Sequence, residues 1–240
     1  RSMNVIDMGV IEELAGLVEK VASDAAIKGA VITSAKDAFC GGADLTMLER
    51  MGAIYTDLVK NKGGEAAALY VFEESRKLSL LYRRIETGGK PWVCALNGTA
   101  MGGGFELALA CNQRIAADNP KTRLGLPEIK IGLFPGAGGT QRIARMLPPA
   151  DALQYLLKGY QLKLDRAKAM KLIDAVVPPA DLVKAGKDWI KAGGKAVKPW
   201  DEKGFKLPGG PVYSKAGMMV FPQANAIYRR ETYDNYPAAR

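Results

Sequence analysis

Apolar positions near the start of the chain recur every three or four residues, which is the spacing of one face of an α-helix. The pattern predicts an amphipathic helix over residues 7–22, with Asp7 as its N-cap. A β-branched run at residues 30–33 then predicts a short buried strand. The apolar positions of the helix are Ile11, Leu14, Leu17, Val18 and Val21.

The rest of the chain alternates between strand-like and helix-like segments, which predicts an α/β fold with a helical C-terminal part. Residues 54–65 have weak periodicity, so we expect a mobile loop there. Residues 193–212 are rich in Gly, Pro and Lys and predict a linker or an exposed loop. The other predicted elements are helices at about 45–51, 65–86, 105–111 and 213–232, a Gly-rich turn at 97–104, and strands at 91–96, 114–117, 122–125 and 175–177.

The composition excludes several classes of enzyme. The 240 residues include no histidine, which excludes Ser-His-Asp and Cys-His hydrolases and HExxH metalloenzymes. Acid–base chemistry must therefore use Glu, Asp, Lys, Tyr or Cys. The cysteines Cys40, Cys94 and Cys111 are odd in number and form no CxxC pair. They favour a reducing compartment such as a bacterial-type cytoplasm, with neither a disulfide framework nor a metal site.

The net charge of +9 suits an anionic partner, either nucleic acid or a polyphosphorylated small molecule. No basic patch is interleaved with aromatic residues in the way that stacks bases, which disfavours nucleic acid. No apolar run approaches the eighteen residues that a membrane span needs. The excess lysines lie late in the chain, mostly at helical spacing, and are interpreted as a solvated face: Lys158, Lys163, Lys168, Lys171, Lys184, Lys187, Lys191, Lys195, Lys198, Lys203 and Lys206.

Two glycine-rich loops precede predicted helices. Residues 101–106, Met-Gly-Gly-Gly-Phe-Glu, would leave unpaired N–H groups at a helix N-terminus, where the helix dipole stabilises negative charge. Residues 40–44, Cys-Gly-Gly-Ala-Asp, have the same character and could direct a second N–H to the same point. Together the loops fit an oxyanion hole. Each alone is equally consistent with a tight turn, with Asp44 as a helix cap.

Glu106 and Glu128 are the candidate acid–base groups. Glu106 enters a nearly all-apolar helix, and Glu128 lies among apolar neighbours. Burial would raise the pKa of each carboxyl group and suit it to proton transfer. Two such carboxylates form a known kind of acid–base pair. The structural alternative for each is an ion pair or a helix N-cap.

Residues 135–142, Pro-Gly-Ala-Gly-Gly-Thr-Gln-Arg, superficially resemble a phosphate-binding loop. The segment lacks the Lys-Ser/Thr pair of a P-loop, and Gln141 occupies the third glycine position of a GxGxxG pattern. We therefore reject a nucleotide-binding fold built on this segment.

Three segments, in this order and spacing, resemble the crotonase (enoyl-CoA hydratase/isomerase) superfamily: residues 39–45, 97–108 and 126–142. The resemblance extends over about residues 1–190. It implies an α/β fold with a crotonase-like ββα spiral core and a helical C-terminal region. It also implies an acyl-CoA thioester as the ligand, whose phosphates fit the positive net charge.

The resemblance also implies roles for individual residues. Glu106 and Glu128 fall on both hydratase glutamate positions, of which the second usually donates a proton to C2 and the first activates water. The backbone N–H groups of Ala43 and Gly103 would hold the thioester oxygen. The expected substrate-binding residues are Ser2, Val5, Gly41, Gly42, Asp44, Leu45, Gly102, Pro127, Ile131 and Gly136.

The chain is most similar to the hydratase part of multifunctional β-oxidation enzymes, which carry a 3-hydroxyacyl-CoA dehydrogenase on the same chain. This similarity lies in the length of the interval between Glu106 and Glu128 and in the C-terminal residues 233–239. We expect a core over residues 1–192 and a linker with a helical extension over 193–240. The Arg at position 1 suggests a fragment of a longer polypeptide. A homo-trimer or hexamer is the alternative arrangement, as in stand-alone relatives.

The expected function is hydration of a trans-2-enoyl-CoA to a 3-hydroxyacyl-CoA in fatty-acid β-oxidation. The first alternative is a Δ3-Δ2-enoyl-CoA isomerase, because the same site could move a proton between C2 and C4. A remote alternative is an RNA-binding crotonase homologue. No cofactor is expected beyond the coenzyme A of the substrate.

Overall fold

Two small sheets organise the chain in the computed structural model, which describes residues 3–239, Ala216 without its side chain. The strands are β1 (Ala30–Ile32), β2 (Trp92–Leu96), β3 (Ala100–Met101), β4 (Gln113–Ala117), β5 (Leu124–Gly125), β6 (Gln161–Leu162) and β7 (Ala175–Val177). One sheet is entirely parallel with the order β1-β2-β4-β7. In the other, β5 pairs in parallel with β3 and antiparallel with β6.

The helices lie between and beyond the strands. They are α1 (Met8–Ser23), α2 (Leu45–Lys62), α3 (Gly64–Thr87), α4 (Gly103–Ala110), α5 (Gly139–Met146), α6 (Pro149–Lys158), α7 (Leu164–Ala169), α8 (Leu182–Lys191) and α9 (Lys215–Thr232). The predicted N-cap of α1 is confirmed, because the Asp7 carboxylate accepts from the amide of Val10 at 3.0 Å. Within residues 3–239, no helix has the length and apolar character needed to cross a membrane.

The larger sheet is covered on both faces, as expected of parallel sheets. Every residue of β2 is buried. Val93 and Ala95 point into a cluster with Leu182 of α8, whereas Cys94 and Leu96 point into the main core with α1, α3 and α4. This alternation places α4, the helix that follows the Gly-rich turn, inside the protein: all of its residues are buried.

The prediction of a loop over residues 54–65 is wrong, because α2 continues to Lys62 and only Gly63 separates it from α3. Every residue of α2 is at least partly exposed, so the helix has no buried stripe to give its sequence a period. It packs along α3 as a helical hairpin. Gly63 makes the turn with φ of 87°, a conformation that favours glycine.

Most other predicted elements are confirmed within two or three residues, including β1, β2, β4, β7, α3 and α9. The strands β3 and β6 were not predicted, because two residues are too few to show a period. The division of the chain at residue 192 stays a prediction.

Lys198 is an exception to the predicted solvated lysine face. Its side chain is only 2% exposed and donates from Nζ to the backbone oxygens of Leu109, at 2.9 Å, and Cys111, at 2.7 Å. It also lies over the Trp200 ring, 4.7 Å from the centroid. The ammonium group therefore caps the C-terminus of α4, where the helix dipole favours a cation. Burial, and secondarily the charge of Arg114, lowers the Lys198 pKa to about 7.

We expect Lys198→Met to destabilise the protein by about 1–3 kcal/mol, because the Leu109 carbonyl would stay buried without its donor. The loss should grow from pH 7 to pH 9. With a folded-state pKa below the unfolded one, the unfolded state binds more protons in this range, so parental stability gains up to about 1.4 kcal/mol per pH unit from this group. Denaturant unfolding at both pH values measures it.

The matched control is Lys195→Met, because Lys195 is exposed and pairs only loosely with Glu202 at 3.3 Å. It should change the free energy of unfolding little at either pH. Equal losses in the two lysine variants would contradict the capping role of Lys198.

Candidate active site

The turn from β3 into α4 presents backbone amides to the site. Gly102 turns the chain with φ of 51° and donates its own N–H to the oxygen of Gly125 at 2.9 Å. Gly103 is the first residue of α4, where an amide has no carbonyl one turn earlier to bond. The hydroxyl of Tyr82, a fully buried residue, donates to the Gly103 oxygen at 2.9 Å and fixes this first turn.

The second loop brings Ala43 to the same place. Ile6 donates to the oxygen of Gly42 at 2.8 Å and accepts from the amide of Asp44 at 2.9 Å, so the Ala43 N–H points away from this bridge. A Cβ atom built on Gly103 would lie 3.8 Å from the Ala43 nitrogen. The two predicted oxyanion amides are therefore close neighbours. Asp44 also caps α2, since its carboxylate accepts from the amide of Thr46 at 2.8 Å.

Glu106 lies one turn into α4 and is 2% exposed. Its Oε1 accepts from the amides of Ala137, at 2.9 Å, and Gly139, at 2.7 Å. The carboxylate thus satisfies the N-terminus of α5, and the segment that resembled a phosphate loop holds this carboxylate. Its Oε2 lies 3.9 Å from the position of a Cβ on Gly103, so this oxygen lies beside the first residue of α4.

Glu128 opens a short 3-10 helix, Glu128–Ile131, that follows β5. Its Oε1 lies 3.1 Å from the position of a Cβ on Gly102. Its Oε2 is buried and has no hydrogen-bond partner in the described part of the chain. Both predicted glutamates therefore lie at the Gly102–Gly103 turn, although Glu106 belongs to α4 and Glu128 to the 3-10 helix that follows β5.

The two carboxyl groups titrate near neutral pH. Burial raises the Glu106 pKa to about 7, with a further contribution from the charge of Glu128, against the lowering effect of the two amides. Burial also raises the Glu128 pKa to about 7. Because the charge of Glu128 raises the pKa of Glu106, the two carboxyl groups titrate as an interacting pair. Such a pair can both accept and donate a proton at neutral pH.

The predicted binding residues divide into three groups. The first group lies around Ala43. Gly41, Gly42 and Leu45 are near it in the sequence, and Val5 is brought close because the amide of Gly41 donates to the oxygen of the preceding residue, Asn4, at 2.9 Å. Pro127 immediately precedes Glu128, whereas Ile131 is 61% exposed and Gly136 also lies at the surface. Ser2 lies outside the described residues.

Sequence reasoning missed a buried ion pair behind the site. Glu86 of α3 and Arg142 of α5 are 4% and 5% exposed, with 2.7 Å between Oε1 and Nε. Glu86 shares its helix face with Tyr82 and Ile85, which are fully buried. A carboxylate on that apolar face could have indicated a buried ion pair. Its partner could not be identified, because Arg142 is 56 residues away in the sequence.

Comparison with known proteins identifies the family. A sequence model described as enoyl-CoA hydratase/isomerase matches residues 1–198. The chain therefore belongs to the enoyl-CoA hydratase/isomerase family of enzymes, which confirms the resemblance found in its sequence.

The fatty acid oxidation complex subunit alpha of Shewanella amazonensis is 35% identical over 240 residues, which cover 99% of this chain and 32% of that protein. The corresponding subunit of Shewanella loihica is 36% identical over 243 residues, with the same coverage. The chain thus spans about a third of the length of these curated relatives.

Solved structures confirm the fold class. An enoyl-CoA hydratase from Bacillus anthracis superposes with a TM-score of 0.68 at 27% identity, over 94% of this chain and 82% of that one. Pseudomonas aeruginosa DspI superposes with a TM-score of 0.67 at 25% identity, over 96% and 87%. The expected crotonase-like α/β architecture is therefore the observed one.

The proximity of the two carboxylates leads to a prediction about their titration. In Glu128→Gln the pKa of Glu106 should fall below about 7, because the neighbouring negative charge that raises it is gone. Carbon-13 NMR of protein labelled at the glutamate carboxyl carbon measures this, with Glu106→Gln to assign the resonance.

Glu12→Gln, on the exposed face of α1, is the control and should leave the Glu106 titration unchanged. An identical Glu106 pKa in the parent and in Glu128→Gln would show that the two carboxylates do not interact.

Proposed function

We propose that this chain is the enoyl-CoA hydratase unit of a larger fatty-acid β-oxidation enzyme, adding water to trans-2-enoyl-CoA to give 3-hydroxyacyl-CoA. The observation that carries the proposal is the convergence of Glu106 Oε2, Glu128 Oε1 and two neighbouring backbone amides at the Gly102–Gly103 turn. Membership of the enoyl-CoA hydratase/isomerase family supports it. So does the similarity to fatty acid oxidation complex subunits alpha.

In the proposed reaction the amides of Ala43 and Gly103 donate to the thioester oxygen. When water adds to C3, the electron pair of the C2–C3 double bond moves toward the carbonyl, and negative charge develops on that oxygen. Fixed donors stabilise this charge more than they stabilise the neutral substrate. Removal of one such donor typically costs about 10²–10³ in rate. Tyr82 supports this step by holding the first turn of α4.

The two glutamates take opposite roles. Glu106 is the base: the amides of Ala137 and Gly139 stabilise its ionised form, and Oε2 is left to take a proton from water. Glu128 is the acid: its partnerless Oε2 lies in a desolvated position that favours the protonated form. Glu128 gives its proton to C2 as the new C3–O bond forms. The pair as a whole keeps one proton, so a transfer from Glu106 to Glu128 resets the site.

Recognition of the CoA portion falls to the loop beside Ala43 and to the segment that precedes Ile6. Val5, Gly41, Gly42, Asp44 and Leu45 are proposed to lie along it, and the net charge of +9 favours its phosphates. The acyl chain is proposed to lie on the Glu128 side of the site, bordered by Gly102, Pro127, Ile131 and Gly136. Ser2, from the sequence resemblance, stays a prediction.

An isomerase is the second candidate, because two carboxylates beside one enolate could also move a proton between C2 and C4. The site favours hydration, since both glutamates are in place and one of them is held by two amides as a base. Product analysis with a 3-enoyl-CoA substrate separates the two. A hydratase alone would leave this substrate unchanged, an isomerase would give only the 2-enoyl-CoA, and an enzyme with both activities would give the 3-hydroxy product.

We expect Glu106→Gln and Glu128→Gln each to lower the hydration rate by about 10²–10⁴, because each removes one positioned acid or base. Binding of acyl-CoA should be preserved, since the backbone donors remain. The loss of enoyl-thioester absorbance with crotonyl-CoA and a longer trans-2-enoyl-CoA measures the rate, and calorimetric titration measures binding.

The control is Glu12→Gln, which should retain parental activity. Full activity in either glutamate variant of the site would contradict the two-glutamate mechanism. A parent chain that binds acyl-CoA without turnover would show that the chain requires the rest of its polypeptide, and absence of binding would reject the proposed function.

A further inference from the structure

Behind the active site, a buried charge is used to hold a backbone loop. Nε of Arg142 donates to Oε1 of Glu86 at 2.7 Å, and Nη1 of the same guanidinium donates to the oxygen of Ala137 at 2.7 Å. Both side chains are almost fully buried. Removing two charges from water is costly, so a pair of this kind persists only when its hydrogen bonds are well satisfied. Arg83 completes the set by donating to Oε2 of Glu86 at 2.9 Å.

The loop held in this way is the loop that holds Glu106. The oxygen of Ala137 bonds to Arg142, while the nitrogen of Ala137 donates to Oε1 of Glu106. Gly138 sits between the two donors with φ of 93°, and a Cβ there would lie 2.5 Å from Nη1 of Arg142. The guanidinium is therefore packed directly against the loop, and any shift of Arg142 moves the donors that orient the carboxylate.

We propose that Arg142, fixed by Glu86, is a positioning residue that keeps Oε1 of Glu106 engaged by the loop and Oε2 directed at the substrate. This inference deepens the proposed hydration and rests on it for its kinetic consequences. A misplacement of a catalytic group by about 1 Å costs as much as about 10²-fold in rate, so a residue that never touches substrate can govern turnover.

Arg142 also acts on Glu106 through charge. The groups that face Glu106 from its neighbours are Glu128 after β5, Arg142 of α5 and Tyr82 of α3. Tyr82 stays neutral, because burial raises its pKa well above the usual range. Arg142 lowers the pKa of Glu106, and Glu86 is the anion that bonds to Arg142. Removing the cation and removing its partner anion should therefore shift the titration of Glu106 in opposite directions.

Three variants separate position from charge. Arg142→Gln removes both the positive charge and the guanidinium group that donates to Glu86 and Ala137. Arg142→Lys keeps the charge but not the guanidinium geometry. Glu86→Gln keeps a hydrogen-bond acceptor for Arg142 but removes the negative charge. The control is Arg145→Gln, one turn along α5, where the guanidinium bonds within the helix to Gln141. Circular dichroism melts identify the temperature at which each variant is folded, and kcat, KM and the pH profile of kcat with crotonyl-CoA are measured there.

We expect kcat to fall by about 10- to 100-fold in Arg142→Gln and Arg142→Lys, with KM nearly unchanged. The acidic limb of the pH profile should move to higher pH in Arg142→Gln, stay near the parental position in Arg142→Lys, and move to lower pH in Glu86→Gln. Arg145→Gln should match the parent. Parental kcat in Arg142→Lys, or shifts of the same sign in Arg142→Gln and Glu86→Gln, would overturn the proposal.

A second measurement keeps this inference distinct from the proposed function. The carboxyl resonance of Glu106, followed by carbon-13 NMR, reports its titration without substrate. If the parent chain does not hydrate enoyl-CoA, the proposed function fails, yet opposite shifts of this titration in Arg142→Gln and Glu86→Gln would still support the positioning. Unchanged titration in both folded variants would reject it.

Discussion

The site depends on the contact between two loops that have no room for a side chain between them. A Cβ on Gly104 would lie 2.6 Å from the Cβ of Cys40, and one on Gly42 would lie 3.0 Å from the oxygen of Met101. This approach brings the amide of Ala43 beside that of Gly103, although 60 positions separate them in the sequence. The sheet pairings and the buried α4 support the contact, and the proposed oxyanion donors depend on it.

Glu106 combines an observed structural role with the proposed chemical one. The sequence left open whether it is a helix cap or an acid–base group; the structure shows the capping, and the acid–base role is the one proposed for its second oxygen. One oxygen satisfies the first amides of α5, while the other faces the site. Burial and two hydrogen bonds act on its pKa in opposite directions, and the balance near 7 is the value that proton transfer at neutral pH requires.

The elements that depend on local sequence were the ones that the sequence predicted. Strand β2 and helix α1 follow from their apolar spacing, and the glycine loops and both glutamates follow from their residue types. The sequence could not predict α2 beyond residue 51, because an exposed helix carries no period. Nor could it predict the Glu86–Arg142 pair or the burial of Lys198, since both arise from residues more than fifty positions apart. Long-range partners of buried charges leave no mark in a single sequence.

The capping of α4 by Lys198 has a consequence for how the protein is made. During synthesis the carbonyls of Leu109 and Cys111 emerge 89 and 87 residues before the lysine that binds them. At about 5–20 residues per second, the ribosome leaves that helix end open for several seconds. Asp201, which binds Arg83 in turn, arrives three residues later still. The nascent α4 therefore lacks its capping lysine until β7, the last strand of the larger sheet, has already been synthesised.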